Sequence, residues 1–194
     1  MQKSIGIKKA NVAVFISGTG SNFKNLIQHS LKKNSKYKIS LVISNKSKAK
    51  GLIYAKKYKI HKKVINYKNI RNAEKIIIDL LKRKKIKLIC LAGFMKILSA
   101  NFIKKFKGKI INIHPSLLPK YKGLNTHQKV IKNREKFSGC TVHFVNSKLD
   151  SGKIILQKKI KILKGDTSEK VAKRVLKEEH LLYPKALEKI LINL

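Results

Sequence analysis

The stretch Asn11-Val12-Ala13-Val14-Phe15-Ile16-Ser17-Gly18-Thr19-Gly20-Ser21-Asn22 decides the fold. Its continuous apolar run, stopped by a Ser-Gly-Thr-Gly turn, reads as a strand buried on both faces. A helix is expected to follow, from about Asn22 to Lys32. The pattern then repeats: a strand at Ile39–Ser44, a helix near Lys48–Tyr58, and a short strand near Lys63–Asn66. In the Asn72–Lys84 helix, Ala73, Ile77, Leu80 and Leu81 share one face. Leu88–Ala92 is again a strand, followed by a helix from Ser99 and a strand at Ile110–Ile113. Alternating strands and helices with right-handed crossovers predict a Rossmann-like α/β fold, a mostly parallel twisted sheet with helices on both faces. The later strands, Gly139–Val145 and Ile154–Ile162, are joined by an Asp150-Ser151-Gly152 turn and are expected to be antiparallel. A final helix starts after Asp166-Thr167-Ser168, a cluster suited to N-capping, with an interruption expected at Pro184.

The chain of 194 residues is 43% hydrophobic, enough for one sizeable core, and no composition break marks a second domain. One domain over 1–194 is expected, with a phosphate-binding half to about residue 100 and a catalytic half beyond it. The Met1–Ala10 segment has no apolar leader core, and no run approaches the length of a membrane span. Cys90 and Cys140 lie in apolar runs without metal-ligand spacing and read as buried free thiols, so a cytoplasmic protein is expected.

The net charge is +38, from 47 Lys and Arg against 9 Asp and Glu. A surplus of that size suits a nucleic-acid partner through counterion release. Against that partner, only Arg71, Arg83, Arg134 and Arg174 are arginines, and lysine is a poor bidentate reader of phosphates and bases. The lysines are also spread evenly, yet absent from Asn11–Gly20, Leu88–Met95, Ile110–Pro119 and Phe137–Ser147. The charge therefore reads as surface filler, and the lysine-free segments are where chemistry is expected.

Four features can carry it. The Gly18/Gly20 turn lets the backbone approach a ligand, and the helix start at Gly20, Ser21 and Asn22 favours a phosphate; an ordinary βα turn would use the same residues. Asn112 and His114, two apart on a strand, leave from one face, and Pro115 ends the strand there. A carboxamide and an imidazole together suit a reaction that builds negative charge on a carbonyl oxygen, although local hydrogen bonds could equally account for the histidine. Asp150 sits in common turn chemistry. If the fold brings it beside His114, its charge would raise the histidine pKa and favour the protonated ring. Glu179 falls on the apolar stripe of the last helix, formed by Ala172, Val175, Leu176, Leu182, Tyr183 and Ala186. It must be paired there, with a ligand hydroxyl or with a lysine.

These residues, with Leu91-Ala92-Gly93-Phe94-Met95-Lys96-Ile97-Leu98, Asn112–Pro119, Gly123-Leu124-Asn125-Thr126-His127, Leu149-Asp150-Ser151-Gly152 and Glu179-His180, resemble the phosphoribosylglycinamide formyltransferases in order and spacing. The resemblance covers nearly the whole chain. It implies transfer of a formyl group from 10-formyltetrahydrofolate, a co-substrate, to the amine of 5-phosphoribosylglycinamide, without a metal. It further implies that Gly20, Ser21 and Asn22 hold the substrate phosphate and Glu179 the ribose hydroxyls. Met95, Lys96, Ile97 and Leu98, together with Asn146, Ser147, Lys148, Leu149 and Asp150, would line the folate pocket. Asn112 would contact the formyl oxygen, His114 would donate a proton, and Asp150 would keep that imidazole protonated and relay the amine proton. The family's folate-site arginine has Arg71 as its nearest counterpart, one position out of register, and Lys96 stands where an arginine is common.

Small-molecule partners and a monomer or homodimer follow from this resemblance. Methionyl-tRNA formyltransferases share the catalytic strand but carry a further C-terminal domain, for which 194 residues are expected to leave no room. Formyltetrahydrofolate hydrolases usually place a regulatory domain before a first strand that starts here near Asn11. A non-catalytic basic nucleic-acid-binding protein would bind generic DNA with steep salt dependence and turn over no folate.

Overall fold

A computed structural model of the chain describes residues 9–192. The expectation that Met1–Ala10 carries no apolar leader core falls outside them, except at Lys9 and Ala10. Seven strands form one sheet: β1 (Ala10–Ile16), β2 (Tyr37–Ser44), β3 (Lys62–Val64), β4 (Leu88–Leu91), β5 (Lys109–His114), β6 (Phe137–Phe144) and β7 (Ile154–Lys161). Their order is β3-β2-β1-β4-β5-β6-β7. Strands β1 to β5 pair in parallel; β6 is antiparallel to β7, as the short turn at Asp150 predicts, and also to β5.

Among the described residues six helices cover the sheet: α1 (Ser21–Ser30), α2 (Leu52–Lys57), α3 (Ile70–Arg83), α4 (Ala100–Lys105), α5 (Thr126–Lys132) and α6 (Ser168–Ile192). The two-residue period of β1 divides the core. Val12, Val14 and Ile16 pack with Phe23, Leu26 and Ile27 of α1 and with Tyr183, Ala186 and Leu187 of α6. Ala13 and Phe15 pack on the other face with Ala73, Ile77 and Leu81 of α3 and Phe102 of α4. Each large side chain buried this way contributes roughly 1.5–3 kcal/mol. The chain thus leaves β1 toward one face and β4 toward the other, which opens a crevice beyond their carboxyl ends.

Two expectations need correction. Helix α6 is not interrupted at Pro184 but runs through it to Ile192. A proline cannot donate to the carbonyl four residues back, here that of His180, and that carbonyl instead accepts from Asn25 Nδ2 of α1. Helix α5 was not anticipated at all. It buries only Thr126 and Val130, too little for an apolar stripe to show in the sequence. The Asp166-Thr167-Ser168 cluster does begin α6: Lys170 N donates to Thr167 Oγ1 (3.3 Å), while Asp166 binds Arg174.

Candidate active site

At the first end of the crevice, Gly20 takes a left-handed conformation (φ 73°) at the start of α1. A methyl group there would lie 2.6 Å from Gly51 Cα, so packing against α2 as well as loop shape requires the glycine. One residue into the helix, Asn22 Nδ2 donates to Glu179 Oε2 at 2.6 Å. Glu179 is only 6% exposed. Burial raises its pKa, and the Asn22 hydrogen bond works against that rise. The sequence therefore placed Glu179 correctly on the buried stripe, and its partner is Asn22, not a lysine. Asn22 Oδ1 is also buried without a hydrogen-bond partner among the described residues. Such an unmet group is what an incoming polyhydroxylated ligand would satisfy.

At the second end, β5 delivers Asn112 and His114 to one face, and the loop after β6 folds back so that Asp150 reaches that face too. His114 Nδ1 lies 3.4 Å from Asp150 Oδ2. His114 Nε2 lies 2.8 Å from the Tyr121 carbonyl oxygen, which only an N–H can satisfy, so the neutral ring carries its proton on Nε2. A second histidine, His143 of β6, lies directly across from Asn112 in the β5–β6 register. Its Nε2 is 3.5 Å from Asp150 Oδ1 and 3.3 Å from Asn112 Nδ2, while Nδ1 faces the Phe144 carbonyl at 2.8 Å. One carboxylate thus bridges two buried imidazoles. Asp150 adopts φ 43°, a left-handed conformation rare outside glycine, and accepts a hydrogen bond from Gly123 N at 2.9 Å.

The electrostatics depart from expectation at one point. Burial dominates His114 and lowers its pKa; the Tyr121 carbonyl and Asp150 raise it, but not enough to reverse the sign. Asp150 therefore favours the protonated ring without reversing the effect of burial. Asp150 is itself opposed by burial, yet hydrogen bonds from His143 and Gly123, with the two neighbouring imidazoles, hold it below the ordinary carboxylate range. It stays an anion, ready to favour any proton delivered to either ring.

Between the two ends, the loop after β4 carries Met95 and Ile97 outward, 58% and 72% exposed, with Lys96 also exposed. Leu98 turns inward and joins the core, so only its backbone can line a pocket. Two residues fix this loop, Glu74, which the sequence reading does not single out, and Ser17 of the glycine turn. Buried Glu74 of α3 accepts hydrogen bonds from both the N–H (2.8 Å) and the hydroxyl of Ser99, the cap of α4. Ser17 accepts from Met95 N (2.8 Å) and donates to Asn45, tying this loop to the glycine turn. Arg71 is exposed in the first turn of α3, three residues before Glu74 and therefore on the same side of the helix. Asn146, Ser147, Lys148 and Leu149 are all exposed, and Asn146 Oδ1 accepts from Lys148 N (2.9 Å). Among the described residues no group of three or more His, Cys, Asp or Glu is placed to hold a metal ion, and no helix is long and apolar enough to cross a membrane.

A doubly wound sheet that gathers an Asn, a His and an Asp beyond its strand ends has the parts of an acyl-transfer enzyme. The chain belongs to the formyl transferase family, whose model matches residues 10–187. Within it, the chain is 45% identical over 176 residues to the phosphoribosylglycinamide formyltransferase of Haemophilus influenzae, covering 89% of this chain and 83% of that one. It is 46% identical over 184 residues to the trifunctional purine biosynthetic protein adenosine-3 of Homo sapiens; this takes in 93% of the chain but spans only 18% of that longer protein. A crystal structure of phosphoribosylglycinamide formyltransferase from Brucella melitensis superposes with a TM-score of 0.90 at 42% identity, over 95% of this chain and 96% of that one.

Proposed function

We propose that this chain transfers the formyl group of 10-formyltetrahydrofolate to the amine of 5-phosphoribosylglycinamide, a step of purine biosynthesis, releasing formylglycinamide ribonucleotide and tetrahydrofolate. The observation that carries this reading is the Asp150 carboxylate shared by His114 and His143 beside Asn112. The nucleotide would lie along the α1 end, its phosphate on the N–H groups of Gly20, Ser21 and Asn22 and its ribose hydroxyls on Glu179. The folate would lie against the exposed Met95–Leu98 and Asn146–Asp150 loops, with Arg71 on that side.

The amine nitrogen attacks the formyl carbon, forming a C–N bond as the carbonyl π electrons move to oxygen. Asn112 Nδ2 donates to that oxygen, and the Nδ1 side of His114 presents the proton, since Nε2 is held by Tyr121. Negative charge growing on the oxygen joins Asp150 in favouring the charged imidazole, which offsets the burial that disfavours it. The amine proton passes to the Asp150–His143 side. Collapse re-forms the carbonyl, returns the oxygen's proton to His114 and breaks the bond to folate N10, which takes up the amine proton from the Asp150–His143 side. One chain, as a monomer or half of a homodimer, suffices, and neither nucleic acid nor membrane enters. Buried Cys90 and Cys140, free and with thiols pushed up to about 12 by burial, agree with a reducing cytoplasmic setting.

The deciding assay follows tetrahydrofolate release with and without 5-phosphoribosylglycinamide. Release only with the nucleotide is the expected outcome. Release without it would make the chain a hydrolase, and no release at all would sink the reading.

A further inference from the structure

We infer that Tyr121 and Glu135 are positioning residues for formyl transfer, because their clasp holds the Tyr121 carbonyl against His114 Nε2. The inference rests on the reading of His114 as proton donor. In enzymes that use an imidazole on one nitrogen, the other is held by an acceptor that fixes tautomer and ring angle. That acceptor here is a backbone carbonyl, at 2.8 Å from Nε2, and its residue is poorly placed to hold itself. Tyr121 has φ 54°, a left-handed conformation that costs free energy for a bulky side chain. It also lines an open pocket of about 320 Å³ together with Leu117, Pro119, Val130 and Glu135, so one side of the residue has no packed neighbour.

The side chain supplies the anchor. Tyr121 Oη donates to Glu135 Oε1 at 2.8 Å and accepts from Asn133 Nδ2 at 2.9 Å, and Lys120 Nζ reaches the same Glu135 oxygen at 2.9 Å. These contacts tie the loop to the chain just past α5. Two residues on, Gly123 N holds Asp150, so one loop grips both members of the His114–Asp150 pair. Leu118 is separately anchored, its N–H donating to Thr141 Oγ1 and its carbonyl accepting from Gln157, so losing the clasp frees Tyr121 without unseating the loop.

The charged and titratable groups facing His114 are Asp150 from the loop after β6, His143 from β6, and His127 and Lys129 from α5. Of the surroundings, the Tyr121 carbonyl and Asp150 favour the protonated ring. Loosening Tyr121 therefore lowers the pH at which the working form is lost. The experiment compares pH–rate profiles of the wild type, Tyr121→Phe, Glu135→Ala, Glu135→Gln and the Tyr121→Phe/Glu135→Ala double variant. Each of the first two substitutions should lower kcat about tenfold with KM for both substrates changed less than about twofold, and should move the alkaline limb to lower pH. The double variant should fall no further than either single one. Glu135→Gln, whose amide oxygen still accepts from Tyr121 Oη, should recover most of kcat. An unchanged kcat and limb in Tyr121→Phe, or additive losses in the double variant, would overturn the inference while leaving the formyl-transfer reading intact. A wild type without nucleotide-dependent turnover would remove both.

Discussion

The two ends of the crevice are built on different principles. The end proposed for the nucleotide is local: a glycine turn, the first residues of α1, and one buried acid on α6, Glu179, joined to Asn22 by a single 2.6 Å hydrogen bond. The catalytic end is a cross-strand assembly, in which β5, β6 and two loops bring Asn112, His114, His143 and Asp150 together through contacts of 3.3–3.5 Å. The first end buries a carboxylate whose charge is disfavoured, and the second buries a carboxylate whose charge is favoured. The former suits binding, because ligand hydroxyls can satisfy a buried anion. The latter suits proton movement, because a permanent anion stabilises each ring that becomes charged.

The sharpest way to break this comparison is at Asp150. Asp150→Asn keeps the shape and removes the charge, so kcat should fall by about 10²–10⁴-fold, the range of general acid–base catalysis. His114→Ala should fall comparably, and the pair together little further, since the two act as a unit. Nucleotide affinity, read by titration calorimetry, should move less than about twofold in either variant if the ends are independent. Near-normal turnover in both would end the division of labour drawn here.

Glu179→Gln tests the other end with a smaller effect of a different kind. Losing a charge-assisted acceptor for the ribose should weaken nucleotide binding about tenfold. The same change should raise Tm. Because burial raises the folded-state pKa of Glu179, the unfolded chain ionises first as pH climbs. Stability is therefore lost between the ordinary glutamate pKa and the folded one, and the cost persists at neutral pH. The gain from Gln should be present at pH 8 and fade as pH falls below the ordinary glutamate range, where the wild type is neutral in both states. A Tm lower than wild type at pH 8 would mean that the Asn22 bond outweighs burial.

The same contrast explains how much could be read in the sequence. Strands buried on both faces announce themselves, as β1 and β4 do, and the antiparallel turn to β7 follows from the length of its loop. The nucleotide end is legible because helix periodicity alone puts Glu179 on a buried stripe. His143 was missed because nothing along the chain links it to Asn112; only the β5–β6 register does. A trace was present, however, since His143 lies in the lysine-free Phe137–Ser147 segment. Glu74 was passed over for a related reason: an acid on an amphipathic helix looks like surface until Ser99 is seen to bind it. The direction of the His114 shift was beyond reach because it depends on how deeply the ring is buried, which no spacing reveals.

The smallest expected effect asks whether the two ends are mechanically joined. Tyr183 lies one turn beyond Glu179 on α6, fully buried, and its hydroxyl reaches the carbonyl oxygens of Leu91 (2.9 Å) and Ile111 (3.3 Å). Those carbonyls belong to β4 and to the strand that carries Asn112 and His114, so this one side chain ties the nucleotide helix to the catalytic strand. Tyr183→Phe keeps the ring and its packing while deleting the hydroxyl, and should cost about 1 kcal/mol of stability in urea unfolding. The sheet is held independently by its own ladder, so kcat and nucleotide affinity should each stay within about twofold of wild type. A larger loss confined to kcat would show that α6 sets the height of β5, and the two ends would then have to be treated as one coupled site.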